Sequence, residues 1–158
     1  MDAISRIAAL RVDTLIARIS DSEVTPGAGS AGAVALALAA ACASKAVAIS
    51  AKHAPNDAEL TAALVSLAKI AGSALLDADR DSVACEEFIR TRTRESINQL
   101  VREEENLGRL IAALAAEVDH IEPRIRSNMR GDLIAARSLI DAARRIQQRN
   151  EGETLRER

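Results

Sequence analysis

The chain has 158 residues, with 21 Lys and Arg against 23 Asp and Glu and a net charge of -2 at pH 7. This length predicts one domain with one core, and the charge lacks the positive excess with which proteins hold nucleic acid or anionic lipid. Because Phe88 is the only aromatic residue, the chain has no series of rings on which nucleobases stack, so neither a nucleic-acid nor a membrane partner is expected.

The composition predicts an all-α fold. Alanine makes up about a fifth of the chain, while there are only 7 Gly and 3 Pro, so helices that approach each other closely are favoured. Cys42 and Cys85 lie far apart, without the spacing of a metal or redox motif. They are interpreted as small apolar residues in a reducing, cytoplasmic compartment, and the opening residues show no export signal.

The first two helices differ in how apolar residues are distributed. The first segment repeats apolar residues at spacings of three and four from Ile4 to Ile19, which indicates an amphipathic helix packed on the core. The sequence TPGAGS at residues 25–30 breaks the pattern, and Ser30 or Thr25 is expected to cap the helix that follows. That helix, residues 30–52, is apolar on all sides and is predicted to be the buried centre of the bundle rather than a membrane span. Its small face comprises Gly29, Ala33, Ala37 and Ala41.

Three more helices follow and complete an up-and-down bundle. The third spans residues 58–89 with Asn56 or Asp57 as its N-cap, and the fourth carries apolar residues from 97 to 118. Pro123 suits a first helical turn, and the last helix is predicted to start at Asp132 as its cap. The domain is assigned to residues 1–150, and residues 151–158 are expected to be a frayed tail.

Three groups of residues are not required for the packing of a helical bundle and are candidates for a functional site. Gly27 and Gly29 open the buried helix, where free amides attract anions, although a tight packing turn explains them as well. Asp79 and Asp81 are expected to border the core of the third helix and Asp77 to point outward; a solvated acidic turn is the alternative. Asn128 and Asp132 could hold a ligand or merely cap a helix. His53 and His120 have no metal-ligand companions, so no metal is predicted.

In this order, the features resemble one known family. The sequence TPGAGS at 25–30 resembles the TPGGGS opening of the cyclodeaminase and methenyltetrahydrofolate cyclohydrolase family, which includes the C-terminal domain of formiminotransferase-cyclodeaminase. Residues 43–48 (ASKAVA) stand where the family has an ASMV-like run. Residues 76–83 (LDADRDSV) resemble its acidic helix, and residues 128–136 (NMRGDLIAA) are similar to its late Asn segment.

The resemblance implies an all-helical homodimer that binds a tetrahydrofolate derivative as substrate, without a metal or a covalently bound cofactor. In such enzymes either water adds to a methenyl carbon, or N10 attacks a formimino carbon and expels ammonia. The resemblance assigns catalysis to Asp79 first and Asp81 second. The ligand site would include Gly27, Gly29, Ser30, Asn128 and Asp132, with Lys52 or His53 meeting the glutamate tail.

Departures from the family pattern support a second hypothesis. Ala28 replaces a Gly, Lys45 replaces an apolar residue, Ser82-Val83 replaces Ala-Phe, and the chain is shorter than typical members. Because these changes touch the ligand region more than the scaffold, a non-catalytic helical dimer that keeps the scaffold for binding or as a partner subunit is the alternative to a folate enzyme.

Overall fold

The computed structural model describes residues 6–157, and over these residues it contains five α-helices, short 3-10 segments and no β-strand. The all-α prediction is therefore confirmed. The helices are α1 (Val12–Ile19), α2 (Ala28–Ala51), α3 (Ala58–Thr91), α4 (Arg94–Ile121) and α5 (Arg130–Thr154).

Helices α2 to α5 form an up-and-down four-helix bundle. α2 and α4 lie at opposite corners, and each contacts both α3 and α5. α2 supplies much of the core with alanines and with the fully buried Leu36 and Val47, as predicted for a central helix. Small side chains let α5 come close, because a Cβ at Gly32 would lie 3.1 Å from Ile146 Cγ2. By length and composition alone, α2 and α3 also qualify as candidate membrane spans, a test that core helices of bundles pass too.

The helix starts agree with the sequence analysis at α3 and differ from it at α2 and α5. Asp57 caps α3, accepting hydrogen bonds from the amides of Glu59 and Leu60 at 3.0 and 3.2 Å, as predicted. At α2 the N-cap is Gly27, and neither Thr25 nor Ser30 caps the free amides, so that expectation was wrong. Both hydroxyls instead donate to α3, Thr25 to Glu86 and Ser30 to Asp81 and the Ala78 carbonyl.

Asp132 is not the cap of α5. The helix begins at Arg130 after a 3-10 turn at Ser127–Met129, so Asp132 lies inside the first helical turn. There it forms an ion pair of 3.6 Å with Lys45 of α2. The N-terminal position of the carboxylate also complements the helix dipole. α5 continues to Thr154, beyond the assigned domain end at residue 150.

The N-terminal segment is not the amphipathic core helix that its spacing predicts. A 3-10 turn at Ile7–Ala9 precedes α1, and Ile7 is buried in the bundle core. α1 itself buries no residue, and Val12 and Ile16 are 74% and 59% exposed. Ile4 lies outside the described residues. Because α2 to α5 already enclose the core, only Ile7 of this segment is buried in it.

Candidate functional site

Polar side chains occupy core positions of α4 and α5 at one end of the bundle. The buried repeat of α5 reaches Ala143, and continuing its spacing of three and four residues gives Gln147 and Asn150. On α4, Glu104 occupies the register position between the buried Leu100 and Leu107. Core positions are normally apolar, so polar residues there indicate a site. The sequence analysis did not find these three residues, although this break in the apolar register could have revealed them.

Asp81 of α3 contributes the carboxylate that faces the start of α2. Its Oδ2 accepts a hydrogen bond of 2.8 Å from the Ser30 hydroxyl, which also lies 3.0 Å from the Ser82 hydroxyl. The contact with Gly29 is so close that a Cβ there would lie 2.2 Å from Asp81 Oδ1. Burial raises the pKa of Asp81, while the Ser30 hydroxyl and amide act in the opposite direction. The structure thus brings Gly29, Ser30 and Asp81 together, with Gly27 just before them.

Asp77 lies one helical turn before Asp81 on the same face of α3. It is 3% exposed, so the expectation that it points outward was wrong. Positions four residues apart share a face of a helix, and this face looks into the bundle. Asn106 Nδ2 donates to both oxygens at 2.7 Å, and Arg80 Nη1 lies 3.5 Å from Oδ1. Burial nevertheless raises the pKa of Asp77.

Asp79, the first-ranked catalytic candidate from the resemblance, lies away from this cluster. Its Oδ1 accepts a hydrogen bond of 2.5 Å from the backbone amide of Ile7. Because two residues along a helix correspond to a rotation of about 200°, Asp79 cannot share the face of Asp77 and Asp81. Asp79 and Asp81 are both half-buried, but they lie on different faces of α3, and Asp79 anchors the N-terminal segment.

Two neighbouring spaces meet at Asp81. A cleft of about 330 Å³ opens between the start of α2, α3, α4 and the end of α5. A narrow cavity of about 10 Å³ lies deeper, with Asp77 and Gln147 in its lining. Both spaces are lined by Asp81, Glu104 and Asn150. The remaining cleft walls are Val24, Gly27, Ala28, Cys85, Phe88, Leu100, Glu153 and Thr154.

The other predicted ligand residues lie at the opposite end of the bundle. Lys52 and His53 follow the last residue of α2, about 35 Å from Gly29 at 1.5 Å per residue. Asn128 is exposed in the turn before α5, and Asp132 pairs with Lys45 on the second half of α2. The structure therefore does not bring these four residues to the cleft.

The cleft has two chemical features that bear on ligand binding. Its aromatic side chain is Phe88, and the Arg92 guanidinium lies 4.6 Å from the centre of that ring. Cys42 and Cys85 are free and half-buried, and burial raises the pKa of the Cys85 thiol in the cleft wall. Within residues 6–157, no group of three or more His, Cys, Asp or Glu is arranged to hold a metal ion.

The fold and the site together define a class: an all-helical bundle whose cleft has a half-buried carboxylate at the start of a central helix that opens with glycines. The family model of formiminotransferase-cyclodeaminase matches residues 11–150, and the chain belongs to this family. The crystal structure of formiminotetrahydrofolate cyclodeaminase from Thermotoga maritima has the same fold, with a TM-score of 0.90 and 18% sequence identity over 96% of this chain and 81% of that chain. No curated protein matches the sequence. The family predicted from the motifs is confirmed.

Proposed function

We propose that the chain is a folate-dependent one-carbon enzyme that acts on a C–N bond of a tetrahydrofolate derivative, with Asp81 as the group that transfers protons. The observation that carries this proposal is the half-buried Asp81 carboxylate, held by Ser30 where the cleft meets the start of α2. A carboxylate with a raised pKa is a stronger base than an exposed one, and a pKa nearer to neutral suits a group that accepts a proton and then returns it.

Two reactions fit this arrangement. In the hydrolytic reaction, water adds to the methenyl carbon between N5 and N10, Asp81 accepts one water proton and passes it to N5 as the C–N5 bond breaks, and the second water proton leaves as the 10-formyl group forms. In the cyclodeaminase reaction, N10 attacks the carbon of the protonated 5-formimino group, Asp81 accepts the N10 proton and returns it to the amino group, and ammonia leaves as the methenyl cation forms. Both reactions use one group as base and then as acid.

The cleft walls support a flat ring system as ligand. Phe88, Val24 and Leu100 provide apolar surface opposite the polar end formed by Asp81 and Asn150. A volume of about 330 Å³ falls in the usual range for small-molecule sites. The ring of Phe88 offers a face for stacking against a planar ligand.

A specific observation favours the alternative, a helical protein that keeps the scaffold without catalysis. The described lining of the cleft includes Asp81, Glu104 and Glu153 but no Lys, Arg or His. A glutamate tail carries carboxylates, which these acidic side chains repel. Under this alternative the cleft binds no folate.

The experiment that tests the function is titration with 5,10-methenyltetrahydrofolate, following the loss of its absorbance against a protein-free control. A parallel assay with 5-formiminotetrahydrofolate follows ammonia release. We expect Asp81→Asn to lower kcat by about 100-fold or more, the usual contribution of a general base. Asp79→Asn, the matched control on the same helix, should keep wild-type turnover. Equal loss in both variants would contradict the role of Asp81, and absence of binding would favour the non-catalytic alternative.

We also propose that two copies of the chain associate through the outward face of α2. This helix is apolar on all sides, and its small residues Gly29, Ala33 and Ala37 are already buried within the chain. Leu38 remains 53% exposed on the outward face. An apolar face of this kind is covered most simply by the same face of a second copy, as in two-fold dimers.

The dimer proposal is tested by light scattering at micromolar concentration. Leu38→Glu should shift the mass from dimer to monomer, because it places two charges in the contact. Val65→Glu, at a site on α3 that is 71% exposed, is the matched control and should leave the mass unchanged. A monomeric wild-type protein would refute the proposal.

A further inference from the structure

Three spaces lie in sequence across the site end of the bundle. The cleft and the narrow cavity have Asp81 in common, and the cavity has Glu103 in common with a second pocket. This second pocket, of about 320 Å³, opens on the other side of α3, where Val83 and Gln99 contribute to its lining. Glu103 is the one described residue that lines both the cavity and the second pocket.

The hydrolytic reaction requires a proton to leave the site. The methenyl substrate is a cation, and addition of water gives a neutral 10-formyl product with one new N5–H bond. Of the two water protons, one ends on N5 and the other is released. A ligand that fills the cleft separates Asp81 from the solvent on that side, so the released proton needs another route.

We propose that Glu103 carries this proton from Asp81 to the solvent, through one water molecule in the narrow cavity and then through the second pocket. The inference rests on the proposed function. A cavity of about 10 Å³ is the size that holds one water molecule, and its polar lining offers the two to four partners that a buried water needs. Asp81 donates to this water, the water donates to Glu103, and Glu103 releases the proton into the second pocket.

The charges around the cavity are consistent with a proton that moves outward. The negative charge of Glu103 raises the pKa of both Asp77 and Asp81, which indicates that its carboxylate faces them. Glu104 of α4 also lines the cavity, whereas α5 contributes the neutral Gln147 and Asn150. The other titratable groups near the pair are Arg80 and Arg109 beside Asp77 and the neutral Cys85 thiol beside Asp81.

The test compares Glu103→Gln with Glu105→Gln, a matched change at an exposed position two residues further along α4. Methenyltetrahydrofolate hydrolysis is measured in dilute buffer, with and without added imidazole as a small proton carrier. We expect Glu103→Gln to lower kcat about tenfold, imidazole to restore it, and Glu103→Asp to retain most of it. Glu105→Gln should match the wild type. The same kcat for both Gln variants would overturn the proposal.

A second measurement does not depend on turnover. Carboxyl carbon NMR of the ligand-free protein follows Asp81 from pH 3 to 9 in the wild type and both Gln variants. Because the negative charge of Glu103 raises the pKa of Asp81, Glu103→Gln should move the Asp81 titration to lower pH and Glu105→Gln should not. An Asp81 curve unchanged by Glu103→Gln would overturn the proton route. If the wild type does not hydrolyse methenyltetrahydrofolate, the NMR titration alone decides whether Glu103 acts on Asp81. Absence of turnover with both folate substrates would reject the proposed function, independently of the proton route.

Discussion

Replacement of Gly29 by Ala tests the contact on which the site depends. The new Cβ would lie 2.2 Å from Asp81 Oδ1 and 2.6 Å from its Cγ, where ordinary contacts are 3.4 Å or more. The carboxylate must therefore move by about 1 Å, which breaks its 2.8 Å hydrogen bond with the Ser30 hydroxyl. A hydrogen bond to a charged group contributes about 1.5–3 kcal/mol, whereas Ala in place of Gly in a helix gains at most about 1 kcal/mol.

We therefore expect Gly29→Ala to lower the free energy of unfolding by about 1–2 kcal/mol, measured by urea denaturation at pH 7. Gly131→Ala is the matched control, because Gly131 is also the second residue of its helix and a Cβ there meets nothing within 4 Å. It should leave stability unchanged or raise it. Equal stability of the wild type and Gly29→Ala would refute the reasoning.

Three further predictions concern the acidic residues of α3. Asp79→Ala should cost about 1 kcal/mol of stability by releasing the Ile7 amide, with no loss of turnover. Burial raises the pKa of Asp81, so the folded protein favours the protonated carboxyl group. The stability that this group contributes is fully present below about pH 3.8 and is lost as the pH rises through the raised pKa. The wild type should thus lose stability relative to Asp81→Asn between pH 3 and 7 in urea titrations, and a difference independent of pH would contradict this. Asn106→Ala should destabilise by about 1–3 kcal/mol at pH 7 and less in acid, where Asp77 is neutral.

The sequence was sufficient for the bundle because α3, α4 and α5 each carry an apolar repeat. Asp57 is predictable as the N-cap of α3 because Asp is a residue type preferred at that position. The central position of α2 follows from its lack of a polar face. α1 shows the limit of this reasoning. Its spacing is as amphipathic as that of a core helix, but burial depends on whether the other helices leave room, which periodicity does not encode.

The site was predicted only in part, for a geometric reason. The motifs correctly join Gly27, Gly29 and Ser30 to the acidic helix, but choosing among its three carboxylates requires the rotation of α3 about its own axis. Successive residues are rotated by about 100° around the helix axis, so a small error in the predicted core-facing stripe is enough to place Asp77 on the outer face, although it is buried. Lys52 lies at the far end of α2 from the cleft, and the order of the motifs in the sequence does not reveal this distance.

Two departures from the family pattern change the surroundings of Asp81 and Glu103. Ser82 stands where the resembling pattern has Ala, and its hydroxyl lies 3.0 Å from that of Ser30, so the change adds a polar partner beside the Asp81 contact. Val83 stands where the pattern has Phe, and it lines the second pocket. A side chain with a ring would fill part of the space through which Glu103 reaches solvent. The two substitutions therefore add a partner to the buried carboxylate network and widen its proposed outlet, which argues for a modified site in this chain rather than a decayed one.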